Sequence, residues 1–264
     1  MIRRFILVCS LLLTMAAADG VADEALSPRL EADGRAKVVS IIDGDTVALA
    51  DGREVRLVGM QAPKLPLGRP DFTPWPLADQ AKAALAELTL GRMVTLKYGG
   101  RRLDRHGRLL AHLFDEGGEW IQGLMLENGL ARVYTFADNR ALASEMLSLE
   151  RSARQAGRGI WSNPFYAVRT SEQAAGDIGT FQLVADRVMD VAEVRGRTYV
   201  NFGDDWRDDF TVTFDSGVRR LFEAQGIDPQ SYEDQAIRVR GWLESWNGPM
   251  IEVTHPEQIE VLNE

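Results

Sequence analysis

Apolar and polar positions alternate with strand-like and helix-like periods along most of this chain. Residues 37–42 are rich in β-branched side chains, and after an Asp-Gly-Asp turn Val47, Ala48 and Leu49 continue the extended pattern. Asp51-Gly52 is a two-residue hairpin signal, so residues 54–60 read as the next strand. Pro63, Pro66, Pro70, Pro74 and Pro76 then force an irregular loop, because proline removes backbone donors and disfavours helix in the residue before it. Residues 77–88 have helical composition, and Gly91 ends them. Residues 93–98 and 109–114 are strands on either side of a basic loop. Residues 121–128 form a helix stopped by Asn128-Gly129, and 130–134 are extended. Residues 139–155 form an amphipathic helix with Leu142, Met146, Leu149 and Ala153 on one face.

Five strands with a helix between the third and fourth is the order of an OB-type barrel. The second half reads as strands at 180–191, 197–202, 209–214, 236–244 and 250–253, with a short helix near 221–225. The predicted fold class is therefore mainly β with helices: a five-stranded OB-type barrel followed by a second small β-barrel, with an OB-like order as one option. The predicted units are a signal peptide at 1–18, a leader at 19–35, the OB domain at 36–169, a linker at 170–177 and an acidic β-barrel domain at 178–264.

Composition adds three constraints. The length of 264 residues suits one or two domains, and 45% apolar residues suffice for a core. Arg3 and Arg4 precede a short apolar run ending in Ala16-Ala17-Ala18, the pattern of a secretory signal peptide. The run is short for a membrane span. Cleavage after Ala18 or Ala22 would give an exported chain, periplasmic or extracellular, with no membrane span in its mature part; an uncleaved anchor is the alternative. The single cysteine, Cys9, lies inside that run, so the mature chain has no disulfide, no thiol nucleophile and no cysteine-bound zinc.

The net charge of −9 is unevenly spread. Residues 36–169 carry 18 Lys/Arg against 15 Asp/Glu, and residues 170–264 carry 8 against 19. The first part can meet a polyanion such as nucleic acid, whose affinity comes largely from phosphate neutralisation. The second part tends to repel one. An unidentified protein is the partner class left for it, with a glycan or the first domain as alternatives.

The candidate chemistry is concentrated in the first part. Asp43 and Asp45 in a tight turn can hold a hard cation, although Asp-Gly-Asp-Thr also makes a good turn by itself. Arg56 and Arg108 can clamp a phosphate through planar guanidinium groups, although Arg56 can also pair with Asp43 or Glu54. Arg105 and His106 extend the basic loop toward a polyanion. The three histidines, His106, His112 and His255, lack metal-site spacing. Most tryptophans read as packing residues; Trp75 in the proline loop can stack on a base.

Residues 42–47 (Ile-Asp-Gly-Asp-Thr-Val), Val55-Arg56-Leu57, residues 104–108 (Asp-Arg-His-Gly-Arg), residues 129–132 (Gly-Leu-Ala-Arg) and residues 159–162 (Gly-Ile-Trp-Ser) occur in an ordered series. In that order and spacing the chain from about Val38 to Ser162 resembles the staphylococcal nuclease (thermonuclease) family. The resemblance implies calcium held by carboxylates against a DNA or RNA phosphate. Asp45 would be a direct ligand and Asp43 an outer support, Arg56 and Arg108 would bind the phosphoryl oxygens, and Tyr134 and Phe136 would lie against the nucleotide. Two departures stand out. Gln61 replaces an expected aspartate ligand, and Lys64 replaces the glutamate that activates water. The first weakens a calcium site, and the second sets a positive charge beside it. An ammonium is no general base unless its pKa is strongly depressed.

Lys64 can instead replace the metal and bind phosphate beside the two arginines. Asp71 is the only acidic residue of the proline loop able to supply a replacement carboxylate. Two functions are consistent with these residues. One is an exported, weak or atypical phosphodiesterase; the other is a non-catalytic binding or scaffold protein of the cell envelope.

Overall fold

The computed structural model describes residues 26, 29–205 and 207–262. The signal-peptide segment lies outside the described residues, as does most of the leader before Arg29. Among the described residues no helix is long and apolar enough to cross a membrane.

Strands β1 (Glu31–Asp43), β2 (Thr46–Leu49), β3 (Glu54–Leu57), β5 (Met93–Tyr98) and β6 (Leu109–Phe114) close a barrel in the order β1-β2-β3-β6-β5. The β3–β6 pair is parallel and the others are antiparallel. Alternate residues such as Val38, Val47, Val55, Leu57, Leu96 and Leu113 point inward and are fully enclosed, which is why a period of two predicts these strands. Helices α1 (Ala78–Thr89), α2 (Ile121–Glu127) and α3 (Ala143–Gln155) contribute Leu85, Ile121, Met125 and Met146 to the same core.

Three boundaries differ from the sequence expectation, each for a local reason. The first strand begins at Glu31, inside the segment read as a leader, because residues 31–37 pair with β5. The strand expected at 54–60 breaks at Val58. After Leu57 the chain leaves the barrel, and Gly59, at φ +83°, opens β4 (Gly59–Gln61), which pairs with β7 (Arg132–Tyr134). The helix expected from 139 starts at Ala143. Asn139 bridges to Phe136 and donates its side-chain amide to the Arg101 carbonyl, and Leu142 adopts a left-handed backbone.

The second unit contains β8 (Phe181–Arg187), β9 (Asp190–Val194), β10 (Arg197–Asn201), β11 (Thr211–Asp215), α4 (Ser216–Ala224), β12 (Ala236–Ser245), β13 (Pro249–Glu252) and β14 (Ile259–Val261). Asp215 caps α4 by accepting from Val218 N at 2.9 Å, and Phe222 on that helix stacks on Phe214 of β11. The strands are paired in the order β14-β12-β13-β11-β10-β9, with β8 also on β12. The β11–β13 pair is parallel, as β3–β6 is in the first unit. These pairs make one seven-stranded sheet, and the second closed barrel expected from sequence is not shown. The first extended segment is interrupted at Val188 and Met189, so its halves β8 and β9 hold different neighbours, β12 and β10. Ala174, in the stretch read as a linker, is buried in the core of this unit.

The two units are joined by buried charge. Arg240 of β12 is enclosed and donates to Glu150 of α3 at 2.9 and 3.0 Å, and to Glu260 of β14 at 2.6 Å. Glu150 also accepts from Arg154 at 2.7 Å and from Val133 N at 2.6 Å, so one carboxylate ties α3, β7 and β12 together. Burial pushes the Glu150 carboxyl up, but Arg240 and Arg154 outweigh it and the net shift is down.

Candidate functional site

Asp43 ends β1, and Thr46 begins β2. Between them Gly44 lies against the helix that follows the proline loop: a β-carbon there would come within 2.7 Å of Ala62 and 2.9 Å of Ala81. Only glycine lets the turn sit this deep. Asp43 Oδ1 accepts from Asp45 N at 3.1 Å, the side-chain turn the sequence suggested.

The Asp45 carboxylate is almost fully enclosed, and its Oδ2 is crowded with donors. Ala62 N donates at 2.8 Å, Lys64 Nζ at 2.9 Å, and an Arg56 Nη lies 3.3 Å away. Burial pushes its pKa up, yet the Arg56 and Lys64 charges and these hydrogen bonds bring it down to about 2. Asp43 moves the other way, raised by burial and then by the charge of Asp45. Lys64 is lowered by burial, with Asp45 opposing; within this pair the depression of Asp45 is the firmer direction, because three donors converge on one oxygen.

A carboxylate whose folded pKa lies below its ordinary 3.8 stabilises the fold above that value, and the contribution is lost as pH falls toward about 2. The contribution is about 2 kcal/mol for Asp45. Asp45→Asn is expected to flatten the decline in stability between pH 4 and 2, read by urea denaturation across that range. An unchanged acid limb would refute the assignment.

Arg56 sits on β3 opposite Thr46 and Leu110. Its guanidinium donates to the carbonyls of Leu57 and Met60, both at 2.8 Å, which fixes it across the exit of the barrel strand. Arg108 is held by Asp104 through two bonds of 2.8 and 2.7 Å. The other Asp104 oxygen accepts from His106 N and Arg108 N, so this carboxylate shapes the basic loop. Arg105 Nε donates to His106 Nε2 at 3.1 Å.

Arg56, Arg105, His106, Arg108 and Tyr134 line one cleft of about 560 Å³. Asp43, Asp45 and Lys64 do not line it; they lie behind Arg56, joined to it through Asp45. The residues named from sequence thus fall into a cleft group and a buried group. Asp71 is exposed and is not among the cleft residues. Gln61 is engaged by another partner: its Oε1 accepts from Arg132 at 3.0 and 2.7 Å. That guanidinium lies over Trp75 and Phe181, and burial pushes its pKa down to about 10. Trp75 is half-buried, against Phe72 and Phe165. Among the described residues no three His, Cys, Asp or Glu side chains gather as a metal site.

Sequence reasoning missed the contribution of the second unit. Trp242 on β12 lines the same cleft, and its Nε1 donates to Tyr134 Oη at 3.0 Å. Phe181 meets the Tyr134 ring edge-on at 4.7 Å. His255, for which the sequence offered no nearby partner, bonds its neighbour Thr254 Oγ1 at 2.9 Å and, across the units, Thr135 Oγ1 at 2.7 Å. A tryptophan beside a hairpin gives no sign in sequence of the distant tyrosine it meets.

Comparison with known proteins gives a consistent result. Residues 54–163 match the family described as staphylococcal nuclease homologue. An uncharacterized endonuclease of Escherichia coli is 33% identical over 139 residues, covering 52% of this chain and 82% of that protein. A micrococcal nuclease of Shigella flexneri is 31% identical over 144 residues, covering 50% and 76%. Endonuclease YncB of Bacillus subtilis is 30% identical over 130 residues, covering 47% and 60%.

Proposed function

Since the chain belongs to the staphylococcal nuclease family, we propose that it binds nucleic acid in the arginine-lined cleft and has lost the calcium-dependent turnover that the family resemblance implies. The observation that carries this reading is the Lys64 ammonium, 2.9 Å from the Asp45 carboxylate. A built-in cation occupies the oxygen that a metal would need. The donor set does not suit calcium, which takes roughly six to eight oxygen ligands. Asp45 Oδ2 is already bonded by Lys64 and Ala62, and Gln61 Oε1 is bonded by Arg132.

The phosphate side supports binding. Arg56 and Arg108 project into one cleft with Arg105, and an incoming phosphate competes with Asp104 for Arg108. Export, carried by the charged start and apolar run of residues 1–18, belongs to the same reading, which makes the protein a nucleic-acid binder of the cell envelope or its exterior.

The test is cleavage and binding of single-stranded DNA and RNA, with calcium, with other divalent ions and with chelator. The expected result is binding that weakens with salt, falls in Arg56→Ala and Arg108→Ala, and is accompanied by no cleavage above those controls. Calcium-dependent cleavage lost in both arginine variants would overturn the proposal. His106, exposed in the cleft, favours the alternative of an atypical phosphodiesterase. Its mark would be cleavage that survives chelator and disappears in His106→Ala.

A further inference from the structure

The cleft is built by both units, and its apolar side is unevenly exposed. Tyr134 is half-buried. Phe136 meets it edge-on at 4.9 Å and Phe181 at 4.7 Å, and its hydroxyl is taken by Trp242. The rings that face outward are its neighbours, Phe136 at 51% exposure and Trp242 at 49%. Both line the cleft that contains Arg56 and Arg108. Two exposed aromatic rings, braced by a shared tyrosine and set in the same cleft as cationic side chains, suit a ligand with both a π-face and a phosphate.

We propose that Trp242, supplied by the second unit, is a base-stacking residue of this cleft and that the acidic second unit thereby takes part in nucleic-acid binding. The inference rests on the nucleic-acid reading of the cleft and adds a residue outside the family match. It also resolves the charge paradox of the sequence: the acidic unit meets the ligand through an indole ring, while phosphates are met by arginines of the first unit. A stacked base must be unpaired, so the ligand is single-stranded. Trp242 is held at the Tyr134 hydroxyl from a strand whose Arg240 is locked to Glu150, which fixes its place relative to Arg56 and Arg108.

The experiment measures binding of a short labelled oligothymidylate and of an abasic oligonucleotide of equal length and charge to the full protein. The variants are Trp242→Ala, Trp242→Phe, Tyr134→Phe and Arg56→Ala/Arg108→Ala, with circular dichroism as the check on folding. Trp242→Ala is expected to weaken oligothymidylate binding roughly 10-fold, within the range of one stacked base, and to leave abasic binding unchanged. Trp242→Phe, which keeps a ring, should recover most of the loss.

The salt dependence separates the roles. Trp242→Ala should keep the slope of log affinity against log salt, whereas the double arginine variant should flatten it. Tyr134→Phe, which removes the hydroxyl acceptor, should give a partial loss. If wild type binds and the arginine variant does not, yet Trp242→Ala binds as well as wild type, Trp242 plays no part in recognition and the inference fails alone. If wild type binds neither oligonucleotide, the nucleic-acid reading and this inference fail together. Equal loss on abasic and base-bearing strands would assign Trp242 a purely structural role and would also overturn it.

Discussion

Arg240→Met is expected to cost about 3–5 kcal/mol of stability, the typical penalty for removing one partner from a buried charge cluster. Arg240 is fully enclosed and bonds Glu150 and Glu260, one carboxylate from each unit. Removing the guanidinium leaves Glu150 against Arg154 alone, with one of its oxygens bound only by Val133 N. The loss should appear in chemical denaturation and as a drop in thermal midpoint of roughly 6–20 °C, at about 2–4 °C per kcal/mol for a chain of this size. Because Glu150 and Arg240 lie in different units, the first opening should separate the units, and proteolysis should cut between residues 163 and 180. A double-mutant cycle with Glu150→Gln should return part of the loss, since it removes the Glu150 charge that Arg240 no longer meets, while Glu260 keeps its own. A loss below about 1 kcal/mol would mean that water compensates the cluster and that the units are held by other contacts.

The second large effect concerns the cation position. In the native protein calcium is expected to leave the thermal midpoint unchanged, because Lys64 already neutralises Asp45. Lys64→Glu, alone and with Gln61→Asp, replaces the ammonium with oxygen donors. With calcium at about 100 times its dissociation constant, binding to the folded state alone stabilises by about 2.7 kcal/mol. That corresponds to a rise of roughly 5–11 °C in midpoint, absent with magnesium-free chelator. Arg132 will compete for an aspartate at position 61, since it holds Gln61 Oε1 at 2.7 Å, which is why the single variant is measured beside the double. Equal stabilisation of wild type and variants by calcium would show that Lys64 does not exclude the ion.

How much of this could be read from the residues depends on distance along the chain. Residues 93–98 and 109–114 were legible to the residue because each is a short, mostly apolar run set between glycines. The break after Leu57 was not, since residues 54–60 keep an extended composition and only the backbone of Gly59 redirects them. The ordered motifs carried the family, and the family model and relatives agree with them. Lys64 lies 19 residues from Asp45, across β2, β3 and β4, and its proximity was legible only through the family resemblance, which sets both at one site. Glu150 could not be placed: on an amphipathic helix a glutamate reads as solvent-facing, and Arg240, which buries it, lies 90 residues away. Trp242 was hidden for the same reason, since its partner Tyr134 is 108 residues distant and belongs to the other unit.

The shared carboxylate of Glu150 also bears on how portable the family barrel is in this chain. The strands close without help from the second unit, and by topology the barrel is a complete module. Electrostatically it is half of a joint. Cut at residue 163, where the family match ends, it would present a glutamate whose oxygens and backbone neighbours are arranged around an arginine from β12. The end of the homologous segment and the reach of its buried contacts therefore differ here. A barrel recognised by descent keeps one of its buried partners beyond the end of the family match.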